Sequence, residues 1–197
     1  MINIRTGEVK HSNINIPKGY DAFKNDITAT QLLGAFDPIR QTFYLGFPYS
    51  DSLYLTKGRT LLESIYLPST ITYNYIPSEV ISFGDGRTVW ALPKEGSKHI
   101  FLIYDPYRDL FLRASKIKET GNGDTKFKRK KHYVLSIFND NLEPLGEYFF
   151  DFNGELDLEN WFLSKKGLFI NKPEQISEDS YEFFQIDLSR FKHPKVE

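Results

Sequence analysis

The chain has 197 residues, of which 40% are hydrophobic, 26% are charged and 16% are aromatic. Its 25 basic and 26 acidic side chains leave a net charge of −1, which argues against nucleic-acid binding through a broad basic face. It contains no cysteine, so disulfides, zinc–thiolate sites and cysteine nucleophiles are excluded. No apolar run approaches the roughly 20 residues that a membrane-spanning helix needs.

Hydrophobic residues alternate with a period of two over most of the chain, which predicts β-strands. Residues 42–48 (TFYLGFP), for example, place Phe43 and Leu45 on one face. The best helical candidate is Tyr20–Leu33, a short segment without a clean apolar stripe. Turns that contain glycine or asparagine, such as 165–167 (KKG), separate the strands and predict hairpins. We therefore expect an all-β fold of antiparallel strands.

The predicted strands repeat as four-stranded meanders. One unit spans residues 31–67, a second spans 99–150, and a shorter third with three strands spans 156–190. Both full units carry an aromatic residue followed by Asp-Pro-x-Arg between their first two strands, FDPIR at 36–40 and YDPYR at 104–108. Tandem four-stranded meanders are the blades of a β-propeller. Together with a first pair of strands before residue 17, the count is thirteen, which predicts a single domain that forms about half of a propeller.

Two segments carry a family resemblance. The segment YDPYRDLFLR (104–113) and the closing run WFLSKKGLFINKPEQISEDSYEFFQIDL (161–188) resemble the C-terminal half of proteins in the domain of unknown function 4221 family. The resemblance implies a six-bladed, TolB-like β-propeller from the Bacteroidetes. Members resemble cell-envelope lipoproteins that are longer than this chain, which implies a location in the periplasm or at the cell surface. Their lipobox cysteine is missing here.

A partial ring predicts a partner. Each open end leaves an unpaired strand edge and an uncovered apolar face, and open repeat arrays normally need caps. We expect either a missing N-terminal half of a longer chain or a second copy of this chain to cover them. A glycan or an envelope protein is the expected ligand, and no nucleic-acid partner is expected.

The most conspicuous charges are two aspartate–arginine pairs in the repeated turns, Asp37 with Arg40 and Asp105 with Arg108. An aspartate before proline caps a tight turn, and the arginine that follows can pair with it, which favours a structural role. In the alternative, Arg108 and Arg113 point into a central channel and bind an anionic or sugar ligand, with Arg40 as a further ligand residue.

The segment 69–97 between the first two units is longer than an ordinary connection, and such segments are often functional. It adds the aromatic residues Tyr73, Tyr75 and Trp90 to the candidate ligand-binding residues. The four histidines lack the spacing of a metal site, and the chain has no phosphate-binding loop, so neither a metal nor another cofactor is expected.

These patterns favour a non-catalytic binding module for a ligand or a protein. The alternative is a carbohydrate-active hydrolase or lyase with its site at the channel mouth. An enzyme would bring at least two titratable groups with shifted pKa values into one pocket. A binding module needs only a concave surface lined by arginine or aromatic residues.

Overall fold

The computed structural model describes residues 14–58, 60–121, 130–153, 160–172 and 181–191. In these ranges the chain forms thirteen β-strands and three short 3₁₀ helices, and every strand pairing is antiparallel. No helix in these ranges is long and apolar enough to cross a membrane. The predicted all-β, antiparallel class is confirmed.

Three sheets follow the predicted meanders. The first contains β1 (Leu33–Asp37), β2 (Thr42–Gly46), β3 (Ser52–Lys57) and β4 (Thr60–Tyr66), and a separate hairpin follows with β5 (Glu79–Ser82) and β6 (Thr88–Ala91). The second sheet contains β7 (Lys98–Asp105), β8 (Leu110–Thr120), β9 (Lys130–Phe138) and β10 (Pro144–Asn153). The third contains β11 (Trp161–Ser164), β12 (Gly167–Asn171) and β13 (Phe183–Ile186). In each of these three sheets the strands lie in chain order.

Of two local predictions from the sequence, the helix at 20–33 is wrong and the turn at 165–167 is confirmed. The segment Tyr20–Leu33 is not one helix, because it holds separate 3₁₀ helices at Tyr20–Phe23 and Ile27–Thr30 and ends in β1. Its apolar residues lack helical spacing, and Tyr20 instead packs on aromatic residues of the β2–β3 loop. The turn at 165–167 is confirmed: Gly167 has φ 140°, and a Cβ there would collide with a backbone carbonyl. The predicted first pair of strands lies largely outside the described residues.

Two hydrophobic clusters join the three sheets. The first lies between the first and second sheets and includes Tyr44, Leu53, Leu102, Phe111 and Phe138. The second lies between the second and third sheets and includes Leu112, Leu135, Ile137, Leu168 and Ile170. Because side chains alternate along a strand, β8 directs Phe111 to the first cluster and Leu112 to the second. The second sheet is therefore the middle layer.

The meander gives the layers two distinct ends. Alternate connections of an antiparallel meander lie at the same end, so the Asp-Pro-x-Arg turns lie at one end, the turn end. The β2–β3 loop (47–51) and the connector (67–97) lie at the other, the connector end. There the backbone N–H of His99 donates to the carbonyl of Pro48 at 2.8 Å, which places the start of β7 beside the loop.

A buried carboxylate holds the connector end together. Asp26, only 2% exposed, accepts hydrogen bonds from the Thr28 N–H at 2.8 Å, the Tyr49 hydroxyl at 2.8 Å and the Ser78 N–H at 2.7 Å. Burial works to raise the pKa of Asp26, but these hydrogen bonds outweigh it and hold the pKa below its usual value. Asp26 therefore fixes the β2–β3 loop relative to the connector.

Candidate functional site

The second Asp-Pro-x-Arg turn is a buried ion pair. Arg108 Nη1 donates to Asp105 Oδ2 at 2.7 Å, and neither side chain is more than 1% exposed. The same guanidinium donates to the carbonyl oxygens of Ser164 at 3.2 Å and Lys165 at 2.6 Å, at the turn between β11 and β12. Arg108 therefore links the second sheet to the third. We call such a contact, from a turn arginine to the next sheet, a clasp.

The first Asp-Pro-x-Arg turn makes the corresponding contact one sheet earlier. Arg40 Nη1 donates to the buried Asp37 at 2.6 Å, and Nη2 donates to Asp140 at 2.5 Å. Nη1 also lies 3.5 Å from Asp109, so both outer partners belong to turns of the second sheet. Burial works to raise the pKa of Asp37, but the hydrogen bonds from Arg40 and from the Ile39 N–H outweigh it and lower the pKa. Both turn arginines thus reach forward to the next sheet.

Polar side chains from four segments meet between the first two sheets, near the connector end. We call this cluster the polar seam: Asp51, Tyr75, His99, Arg113 and Ser115. His99 is central, with Nδ1 2.7 Å from the Ser115 hydroxyl and Nε2 2.7 Å from the Tyr75 hydroxyl. Its Nε2 also lies 3.3 Å from Asp51 Oδ1. The seam therefore connects the β2–β3 loop, the connector, β7 and β8.

Burial decides which members of the polar seam are charged. Burial, followed by the charge of Arg113, lowers the pKa of His99 to about 4, so the imidazole is neutral near pH 7. Burial works in the opposite direction on Asp51, but its contacts with His99 and Arg113 outweigh it and hold the pKa below its usual value. Burial, followed by the Asp51 charge, raises the pKa of Tyr75. At neutral pH the charges of the seam are therefore those of Asp51 and Arg113.

Arg113 is the least satisfied residue of the polar seam. It is 2% exposed, and its Nη1 lies 3.3 Å from Asp51 Oδ1. None of its three guanidinium nitrogens donates a hydrogen bond to any described residue. Its Cζ instead lies 5.7 Å from the centre of the Tyr73 ring and 5.6 Å from that of Phe138. Because a buried donor without an acceptor typically costs about 1–3 kcal/mol, this guanidinium requires an explanation.

A groove of about 500 Å³ lies beside the polar seam. Its polar wall is formed by Ser69 and Thr70 of the connector and by Ser136 and Glu147 of the second sheet. The Glu147 carboxylate accepts hydrogen bonds from the hydroxyls of Ser69 at 2.7 Å, Ser136 at 3.0 Å and Thr70, and from the Thr70 N–H at 3.3 Å. Burial works to raise the pKa of Glu147, but these bonds outweigh it and lower the pKa. Ser69 also donates to the Tyr73 hydroxyl at 3.4 Å, and the Tyr73 ring contacts Arg113 of the polar seam, so Tyr73 lies between the groove and the seam.

A smaller cavity of about 290 Å³ lies where the first strands of the three sheets meet; we call it the first-strand cavity. Leu33 of β1, Lys98 and Phe101 of β7 and Trp161 of β11 line it, together with Gln31. The Trp161 and Phe101 rings are 5.6 Å apart and tilted by 40°. The three sheets therefore converge on this cavity.

The structure divides the ligand residues predicted from sequence into three places. Arg113, Tyr73 and Tyr75 come together, and the two tyrosine rings stack 5.7 Å apart. Arg40 and Arg108 lie at the turn end, engaged in the clasps. Trp90 lies apart on the β5–β6 hairpin, paired in register with Val80. Within the described ranges, no group of three or more histidine, aspartate or glutamate residues is arranged to hold a metal ion.

Among the acidic and histidine residues of the polar seam and the groove, Asp51, His99 and Glu147 were not singled out from the sequence. Only Glu147 gives a usable signal, because it lies between Leu145 and Phe149 in the period-two pattern and interrupts an apolar face. Asp51 and His99 lie in or beside loops, where the sequence offers no such pattern. Their proximity depends on how the first two sheets pack.

The fold and the site together define an all-β protein of antiparallel meanders. Arginines of the repeated turns link successive sheets at one end, and a buried polar seam lies near the other end. A family model described as a domain of unknown function (DUF4221) matches residues 1–148, and the chain belongs to this family. The predicted family is confirmed, and its match includes the segment 104–113, whereas the closing run 161–188 lies outside it.

Among solved structures, the chain is similar to the crystal structure of a DUF4221 family member from Bacteroides vulgatus ATCC 8482. The TM-score is 0.61 at 19% sequence identity, so the likeness concerns the fold alone. The match covers 94% of this chain and 54% of that chain, so this chain spans about half the length of its structural relative. No curated protein matches.

Proposed function

We propose that the chain is a non-catalytic binding module, formed as part of a six-bladed, TolB-like β-propeller, that holds its ligand in the first-strand cavity. The observation that carries this proposal is the convergence of β1, β7 and β11 on one cavity. In a radial array of meanders the first strands surround the axis, and ligands bind in concave sites with a few polar groups. Gln31 and Lys98 provide polar groups beside the Trp161 ring.

The clasps give independent support for a propeller. Arg40 joins the first sheet to the second, and Arg108 joins the second sheet to the third, through the same motif and in the same direction. A motif that repeats its contact from sheet to sheet is expected where successive sheets are related by one rotation. Six blades and the TolB-like form rest on the family resemblance.

The rest of the ring would come from an N-terminal half of a longer chain or from a second copy of this one. The 54% coverage of the Bacteroides structure supports an architecture with more strands than this chain contains. The periplasm or cell surface of a Bacteroidetes bacterium is the proposed location, on the strength of the family resemblance. A glycan or an envelope protein is the proposed ligand.

Tryptophan fluorescence tests the first-strand cavity. The chain has two tryptophans, so Trp90→Phe leaves Trp161 as the sole reporter. Titration with di-N-acetylglucosamine is expected to give a saturable change in emission that Gln31→Ala abolishes and Gln185→Ala, on the distant strand β13, preserves. An emission that stays flat, or changes equally in both variants, would contradict glycan binding at this cavity.

The hydrolase alternative has one observation in its favour. Asp51, His99 and Ser115 supply the carboxylate, imidazole and hydroxyl of a serine hydrolase, although Ser115 lies at Nδ1 and Asp51 at Nε2, the reverse of the usual arrangement. Ser115 is completely buried, however, and Tyr75 competes for the same nitrogen of His99 as Asp51. Product chromatography of the same disaccharide mixture separates the two proposals: we expect no cleavage, whereas cleavage lost in Ser115→Ala would establish the hydrolase.

A further inference from the structure

Neither the clasps nor the first-strand cavity uses Arg113 or the groove beside it. We propose that this groove is a separate binding site for a small organic carboxylate with an apolar body, whose carboxylate pairs with Arg113. The site is independent of the proposed function, because the connector and the second sheet form it and it shares none of the groups named for the first-strand cavity.

The first argument is the unused bonding capacity of Arg113. Its guanidinium is permanently charged and has five N–H donors in a planar fork, none of which donates a hydrogen bond to a described residue. Arg108, in the same hairpin, is equally buried but donates to Asp105 and to two carbonyls. A carboxylate is the planar acceptor that matches this fork with two parallel hydrogen bonds.

The second argument is position. Arg113 of β8 lies directly opposite Ser136 of β9, and Ser136 lies opposite Glu147 of β10. Ser136 and Phe138 both line the groove, and the Phe138 ring contacts the guanidinium. Because adjacent strands are about 4.8 Å apart, the backbone of Arg113 lies one strand spacing from the groove wall at Ser136, and the proposal requires the guanidinium to turn toward that wall. It would leave two ring contacts and one ionic contact and break no hydrogen bond.

The third argument is the apolar wall, which fits the body of such a ligand. Leu145 and Phe149 project from the same face of β10 into the groove, and they are 42% and 61% exposed. Pro68 and Pro144 extend the same wall. An apolar body laid along these side chains removes their surface from water, which is favourable in proportion to the area buried.

The charges near the groove favour a ligand with a single negative charge. Asp51 lies 3.3 Å from Arg113, and Glu147 adds a second carboxylate to the groove, so a dianion such as a phosphate monoester would meet stronger repulsion. An amine would need Glu147, which already accepts hydrogen bonds from Ser69, Thr70 and Ser136. A monocarboxylate therefore fits better than either.

Calorimetric titration of the full chain tests this site with three probes that share one body: 4-phenylbutyrate, 4-phenylbutan-1-ol and 4-phenylbutylamine. We expect only the carboxylate to bind. Arg113→Met is expected to weaken binding at least tenfold, and Arg113→Lys, which keeps the charge but loses the fork, is expected to recover part of it. Phe149→Ser should weaken binding several-fold, whereas Val80→Ser, at a similarly exposed residue of the β5–β6 hairpin, should not.

Three results would overturn the proposal. These are no binding of 4-phenylbutyrate up to 10 mM, equal binding of the alcohol or the amine, and carboxylate binding that survives both Arg113→Met and Phe149→Ser unchanged. Phe149 is exposed, so its variant decides the matter even if Arg113→Met does not fold. Trp161 fluorescence with the disaccharide remains a separate measurement, so failure here is distinguishable from failure of the proposed function.

Discussion

Two buried arginines of the β7–β8 hairpin differ in how many hydrogen bonds their guanidinium groups donate. Arg108 lies in the turn and donates to Asp105 and to two carbonyl oxygens of the third sheet. Arg113 lies in β8, and among the described residues its guanidinium makes an ionic contact with Asp51 and contacts two aromatic rings but donates no hydrogen bond. The first guanidinium holds sheets together, whereas the second retains unused donors next to a groove. Burial alone therefore does not identify a structural arginine; the number of hydrogen bonds that it makes does.

The largest effect is expected at the buried clasp. Asp105→Ala leaves the Arg108 guanidinium buried without its carboxylate, and breaking a buried pair in this way costs about 3–5 kcal/mol. Urea unfolding followed by circular dichroism measures the loss. Asp85→Ala is the matched control, because its ion pair with Arg87 is exposed and should contribute less than about 1 kcal/mol. Similar losses in both variants would remove the distinction between a buried clasp and a surface ion pair.

The polar seam should respond to pH through His99. Its pKa is about 4 in the folded chain and 6.5 in the unfolded chain, so the unfolded state binds a proton first as the pH falls. The resulting loss of stability is absent above pH 6.5 and complete near pH 4, and it amounts to about 3 kcal/mol.

Unfolding free energies of His99→Asn and wild type across pH 4–8 isolate this contribution. The variant should lose less stability than wild type between pH 6.5 and pH 4, whatever its stability at pH 8. Parallel profiles for wild type and His99→Asn would show that His99 is not held neutral.

A smaller effect is expected at the half-exposed clasp. Asp37→Ala removes one of the three carboxylates beside Arg40, but this guanidinium is 36% exposed and keeps Asp140 and Asp109. Water and the two remaining carboxylates compensate, so we expect a loss of about 1–2 kcal/mol. The same urea measurement ranks it below Asp105→Ala. A loss equal to or greater than that of Asp105→Ala would mean that the exposed clasp contributes more than the buried one.

The sequence predicts the sheets well because their information is local. Period-two alternation and turn residues such as Gly167 predict meanders at 31–67, 99–150 and 156–190, and the described strands of the three sheets lie at 33–66, 98–153 and 161–186. The pairing of aspartate and arginine within each Asp-Pro-x-Arg turn follows from the same short-range geometry. The reach of Arg40 and Arg108 to the next sheet does not, because it depends on sheet packing.

The polar seam could be predicted only in part. Arg113 and Tyr75 were candidates by residue type, but Asp51 and His99 reach them from a loop and a strand start elsewhere in the chain. Alternation indicates which face of a strand is buried, but it does not indicate which neighbour covers that face. The groove likewise exists only because the connector folds back on β9 and β10.

The most direct test of the contrast between the two arginines replaces each by methionine and compares unfolding free energies in urea at pH 7. Arg113→Met removes one ionic contact, to the partly exposed Asp51, and a guanidinium that donates no hydrogen bond to a described residue, so it should lose no more than about 1 kcal/mol. Arg108→Met, which leaves Asp105 without its cation and two carbonyls without a donor, should lose about 3 kcal/mol or more. Equal losses of unfolding free energy in the two variants would contradict the claim that Arg108 stabilises the fold whereas Arg113 does not.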